Sequence, residues 1–187
     1  VNLIGEHIDY TEGWVLPFAI GYRTQVAMSL RHDNVVELVS VQKKTKSVQV
    51  SLSGLAPDSS RGWAEYVLGV IRELGISQGL NIAVDGDVPL GAGLSSSAAL
   101  ECAVSTGLNE LFSLGKSKPE LALAAQAAEN NFVGMPCGIM DQAVSMMAQE
   151  HHALLLDCKT LETLQIPLDL EKAGLALLVT DTRAHHA

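Results

Sequence analysis

The decapeptide Pro89-Leu-Gly-Ala-Gly-Leu-Ser-Ser-Ser-Ala98 places two glycines and three hydroxyls directly ahead of a helical run. A loop of this kind gathers unpaired N–H groups and the positive end of a helix on one spot. Gly91 and Gly93 let the backbone approach a ligand closely. Ala92, Leu94, Ser95, Ser96 and Ser97 complete a stretch whose N–H and O–H groups suit a phosphate. The plainer alternative is a Gly-rich turn with a serine N-cap. A Walker A motif is excluded because no Lys precedes the serines. A dinucleotide fingerprint fits poorly because Ser96 stands at its third glycine.

Two other segments carry polar chemistry. In Asn2-Leu-Ile-Gly-Glu-His-Ile-Asp-Tyr10, the side chains of Glu6, His7 and Asp9 crowd beside Gly5, which suits a ligand with hydroxyls in several directions, such as a sugar. A polar turn entering a strand is the competing reading, and no His-x-x-x-His pattern supports a metal there. In Cys137-Gly-Ile-Met-Asp-Gln142, Pro136 and Gly138 break the chain, so Asp141 falls in the first turn of the next helix. The helix end suits a carboxylate, which is either a base facing a substrate hydroxyl or a partner of the dipole alone. Glu129, at the edge of an Ala-rich stripe, is either solvated or, with Ser97, an oxygen ligand for Mg²⁺.

The elements that must position these groups follow from hydrophobic spacing. Val26/Met28/Leu30, residues 35–41 and Val48/Val50/Leu52 alternate with period two and predict strands. Trp63, Tyr66, Val67, Val70, Ile71 and Leu74 fall at helical spacing, ended by Gly75. A strand over Leu80, Ile82 and Val84 leads into the irregular residues 85–93. Helices are expected from Ser95 to about Phe112, from Pro119 to Gly134, and over 138–149. Residues 153–157, 161–167 and 175–181 read as strands, the first two as a hairpin. This order predicts an α+β domain, with helices on one side of a sheet.

Composition narrows the classes. The 187 residues carry 12 Lys+Arg against 21 Asp+Glu, a net charge of −9, which argues against a nucleic-acid coat. Hydrophobic residues at 48% allow a sizeable core. The three cysteines lack Cys-x-x-Cys spacing, so reduced thiols and a cytoplasmic protein are expected. No apolar run approaches the ~18 residues of a membrane span, and Glu6, His7, Asp9 and Glu12 stand where a secretory leader would be apolar.

Residues 2–10, with Gly13 and Val15-Leu16-Pro17, resemble the galactokinase signature. Residues 89–98 resemble the second motif of the superfamily of galactokinase, homoserine kinase, mevalonate kinase and phosphomevalonate kinase. Residues 137–142 resemble the galactokinase segment with the catalytic aspartate. Trp63-Ala-Glu-Tyr-Val67 and His152-Ala-Leu-Leu-Leu-Asp-Cys158 extend the similarity over essentially the whole chain. The resemblance implies the N-terminal domain of the GHMP-type sugar kinase fold (ribosomal protein S5 domain 2-like), a mixed sheet with helices on one side. Residues 1–187 would form that single domain. A C-terminal domain and the first N-terminal residues, including an Arg just before Val1, would lie outside it.

The implied activity is ATP-dependent phosphorylation of galactose at its anomeric hydroxyl, with the stretch 1–187 alone turning over very slowly or not at all. Galactose contacts would come from Glu6, His7, Asp9 and Gly138, with Asp141 acting on the hydroxyl. ATP would lie on Gly91, Ala92, Gly93, Leu94, Ser95, Ser96 and Ser97, with Trp63 at the adenine and Mg²⁺ near Ser97 and Glu129. Partners would be the two small substrates and the chain's own C-terminal domain in a monomer, with no nucleic acid and no membrane. A kinase for a related sugar such as N-acetylgalactosamine, and a non-catalytic galactose and ATP sensor on the same scaffold, stay open.

Overall fold

The computed structural model describes residues 1–43, 47–89 and 91–180. A mixed four-stranded sheet has the order β2 (Thr24–Leu30), β5 (Leu80–Gly86), β3 (Val35–Ser40), β4 (Val48–Ser51). β2 runs antiparallel to β5 with Val26 opposite Val84 and Met28 opposite Ile82; β3 runs parallel to β5 with Leu38 opposite Ile82; β4 closes a hairpin on β3. Alternation places Val36, Leu38, Leu80, Ile82 and Val84 on the buried face, with Val26 and Met28 against the same core. The opposite face carries Gln25, Ser29, Glu37 and Asn81, where Arg31 bonds Asp33 and Asn81.

Four helices cover the apolar face: α1 (Ala64–Glu73), α2 (Ser96–Leu111), α3 (Lys118–Ala127) and α4 (Met140–Met147). α3 starts with a capping box between Ser117 and Glu120, with Pro119 in the first turn, where a missing N–H costs nothing. It continues into a π turn over Ala128–Val133. Gly69 of α1 admits this turn, because a β-carbon at 69 would lie 3.1 Å from Ala128 Cβ and 3.2 Å from Phe132 Cβ. Val67, Leu68, Val70, Ile71, Leu108 and Phe132 are buried between the helices, each removal from water contributing about 1.5–3 kcal/mol.

A second, antiparallel sheet holds β1 (Trp14–Val15), β6 (His152–Asp157) and β7 (Thr163–Pro167) in the order β1-β6-β7. Its backbone bonds tie the first eighteen residues to β6. Leu154 N donates to Pro17 O at 2.7 Å and Cys158 N to Gly13 O at 3.0 Å. The expected strands, helices and hairpin are present, with one correction. Residues 175–180 form no strand, and Leu175, Leu177, Leu178 and Val179 are exposed. Their alternating apolar pattern meets no neighbouring strand among the described residues, and alternation without a ladder to complete does not make a sheet. Asp181, Arg183 and the His185-His186 pair lie outside the described residues.

Candidate functional site

The N-terminal segment is a compact hook. Leu3 N donates to Leu16 O, Leu16 N to Ile4 O and Gly13 N to Ile8 O. Two of its glycines are required by contact: a β-carbon at Gly5 would stand 2.7 Å from Trp14 O, and one at Gly13 would stand 2.9 Å from Ile8 O. Glu6 and His7 are exposed on this hook. Asn2 Nδ2 donates to Glu6 Oε1 at 2.9 Å, and the His7 ring meets the Tyr10 ring edge-on at 6.1 Å. Asp9, opening a short 3₁₀ turn, points inward instead. Its carboxylate abuts buried Gly138, leaving no room for any side chain there. Its charge also helps raise the Cys158 thiol to about 11, an effect due chiefly to burial.

Gly138 leads directly into α4, and Asp141 sits in the first turn of that helix. Asp141 faces a cleft of about 710 Å³, shared with Val1, Tyr22, Arg23, Leu94 and Ser95. The Val1 nitrogen donates to Phe18 O at 3.1 Å, which fastens the start of the hook. Among the described residues lining this cleft, Arg23 is the one cationic side chain. Of the other arginines, Arg31 is engaged by Asp33, Arg61 by Glu65, and Arg72 lies over the Phe132 ring.

The Gly-rich loop lies open at the N-terminus of α2. Gly91, Gly93 and Ser95 all have positive φ (71°, 67° and 57°), and a β-carbon at either glycine would meet nothing within 4 Å. The glycines are therefore needed for the turn itself and not for clearance from any described residue. Ser95 occupies the N-cap yet its hydroxyl makes no capping bond, so the first-turn N–H groups of α2 are left to another acceptor. A smaller pocket behind the loop is lined by Ser96, Leu100, Thr24, Val88 and Trp63, which brings the sequence-flagged tryptophan next to the loop.

Beneath the cleft is a buried polar cluster that sequence reasoning missed in large part. Gln142 Nε2 donates to Glu129 Oε2 at 2.9 Å and to Glu101 Oε2 at 3.3 Å. Cys137 Sγ lies 3.6 Å from Glu129 Oε2. Burial first, and the charge of Glu129 second, push Glu101 up to about 9, so it is neutral at pH 7. The Cys137 thiol is pushed up to about 12 by the same burial and the same neighbour, which rules it out as a nucleophile. Glu129 is therefore not a solvated residue. Glu101 follows Ser97 by one helical turn on the same face of α2, and that spacing was the signal that could have revealed it.

Known proteins resemble this chain in sequence and in fold. The galactokinase galactose-binding signature matches residues 1–30, and the GHMP kinases N terminal domain matches residues 65–149. A galactokinase of Streptomyces coelicolor is 44% identical over 191 residues, covering 100% of this chain and 49% of that protein. The structure of Lactococcus lactis galactokinase complexed with galactose superimposes with a TM-score of 0.85 at 35% identity, covering 90% of this chain and 45% of that one. Methanococcus jannaschii mevalonate kinase shares the fold at a TM-score of 0.71 and 18% identity, over 92% of this chain and 55% of its own. The chain thus spans about half the length of the relatives it matches.

Proposed function

We propose that residues 1–187, in which residues 1–30 match the galactokinase galactose-binding signature and residues 65–149 the GHMP kinases N terminal domain, supply the N-terminal half of an ATP-dependent galactose kinase. The observation that carries the reading is the contact of Asp9 with Gly138 just before the helix bearing Asp141, together with the cleft that Asp141 itself shares with Leu94 and Ser95 of the Gly-rich loop. This arrangement supports an acceptor side at Asp141 next to a phosphate side at the Gly-rich loop.

Glu6, His7, Asp9 and the Gly138 backbone hold the sugar hydroxyls. Asp141 accepts the proton of the anomeric hydroxyl as its oxygen attacks the γ-phosphorus of ATP, the bond to the β–γ bridging oxygen breaks, and ADP leaves. The N–H groups of Gly91, Ala92, Gly93, Leu94, Ser95, Ser96 and Ser97 cradle the phosphates, and Trp63 lies against the base. Little covalent chemistry falls to the protein, so positioning and charge neutralisation dominate the rate. Val1 lines the cleft, so a residue preceding it in a longer chain would enter beside Asp141.

No trio of His, Cys, Asp or Glu among the described residues forms a metal cage. The donors instead suit Mg²⁺, which takes one or two protein oxygens and completes its shell with phosphate and water. Glu129, braced by Gln142, and the Ser97 hydroxyl at the mouth of α2 would hold it. Bound there, Mg²⁺ neutralises charge on the phosphates. The test is Mg²⁺- and sugar-dependent ADP release by the full-length protein, comparing galactose, N-acetylgalactosamine, arabinose and glucose. Galactose-dependent turnover is expected; galactose binding without turnover would replace the kinase reading with a sensor.

A further inference from the structure

The geometry points to Asn130 as the positioning residue for the sugar side of the cleft, an inference that rests on the galactose reading above. Asn130 lies in the π turn at Ala128–Val133, a helical distortion that is uncommon and concentrated at functional sites. Its amide grips both backbone groups of a single residue: Nδ2 donates to Cys137 O at 3.2 Å, and Cys137 N donates to Oδ1 at 2.7 Å. Gln126 Nε2, one turn earlier, donates to the same carbonyl at 3.2 Å.

Two-point pairing to one residue fixes its direction as well as its place, as a strand partner would. Cys137 is the residue before Gly138, and Pro136 on its other side offers no N–H to share the load. Among the described residues, residues 134–138 belong to no helix or strand; Met135 N donates to Glu129 O at 3.0 Å at the near end, and the two side-chain amides hold the backbone at Cys137. Any slack at Cys137 passes straight to Gly138, which has no clearance from Asp9, and on into the first turn of α4 with Asp141. The loop of Gly91–Ser97 is carried by α2 and shares none of these bonds. The clamp therefore acts chiefly on the sugar side; toward the metal side, Cys137 Sγ lies 3.6 Å from Glu129 Oε2.

The full-length protein with Asn130→Ala tests this, with two independent readouts. Amide hydrogen exchange across residues 135–141, without any ligand, reads the clamp itself and is expected to accelerate at least about tenfold. Steady-state kinetics should show galactose KM raised about tenfold or more with ATP KM within about twofold. Unchanged exchange overturns the clamp. Faster exchange with unchanged galactose KM, or with both KM values rising in parallel, overturns the positioning role and leaves a purely structural one. Wild-type protein that does not turn over galactose would instead sink the functional reading, and the exchange result would stand apart from it. Should Asn130→Ala not fold, Gln126→Ala removes one of the three bonds, and about a threefold rise in galactose KM alone is expected; no rise overturns the proposal.

Discussion

Gly138 is held so tightly against Asp9 that a β-carbon at position 138 would fall within the Asp9 carboxylate. The N-terminal hook and the turn before α4, far apart in sequence, thus meet at a point where only glycine fits. In the full-length protein Gly138→Ala should force Asp9 aside. A misplacement of about 1 Å at a reacting site can cost about 10²-fold, so galactose kcat/KM should fall between about 10- and 100-fold while ATP KM stays within about twofold. Varying each substrate in turn checks this; equal damage to both substrates would show that the glycine serves folding.

Asp141→Asn keeps the shape of the side chain and removes its capacity to take a proton. Positioned acid–base groups contribute about 10²–10⁴-fold, and kcat should drop within that range. ATP affinity, measured by calorimetry, should change little, because Asp141 lies on α4 while the phosphate loop is carried by α2. Parallel loss of turnover and ATP affinity would place Asp141 on the nucleotide instead.

The sheet and helices were legible because their periods are clean: Val26/Met28 and Leu80/Ile82/Val84 alternate, and Val67, Val70 and Ile71 recur at helical spacing. Residues 175–180 show the limit of the same signal, since alternation does not reveal whether a partner strand exists. Trp14–Val15, two residues long, is a strand only because β6 passes alongside it. The site was legible as three motifs but not as an arrangement. Glu129 reads as a surface residue in sequence and proves to be buried, because Gln142 and Glu101 arrive from two other helices. Asn130 has no local signature at all, since its partner is a backbone seven residues on.

Neutral Glu101 ties stability to pH. Its ordinary value of 4.5 rises to about 9 in the fold, chiefly through burial and secondarily through Glu129. Between those values the native state holds a proton that the unfolded chain has released. Stability therefore declines as pH climbs through this window and levels off above it. Glu101→Gln mimics the protonated form and removes the dependence. Relative to wild type it should gain stability with rising pH, by at most about 1.4 kcal/mol per pH unit. Urea unfolding at pH 5.5, 7 and 8.5 reads the difference; an offset that is constant with pH would refute a protonated Glu101 in the fold.

Phe132 sets two kinds of interaction against each other. Its ring is 2% exposed beneath the π turn, and the Arg72 guanidinium carbon stands 5.4 Å from the ring centre. Truncating a buried Phe costs about 3–5 kcal/mol through lost transfer energy and the cavity left behind. A cation over an aromatic face contributes about 0.5–1 kcal/mol where solvent reaches it. Burial should therefore win clearly: Phe132→Ala should lower the unfolding free energy by about 3–5 kcal/mol, and Arg72→Met by less than about 1 kcal/mol. The π turn shares this packing through the Gly69 contact with Ala128 and Phe132. Loss of the ring should thus also loosen the neighbouring Glu129 and Asn130, weakening galactose turnover even at temperatures where the variant stays folded. Comparable losses from the two substitutions would mean that the cation, and not the cavity, holds α1 to the π turn.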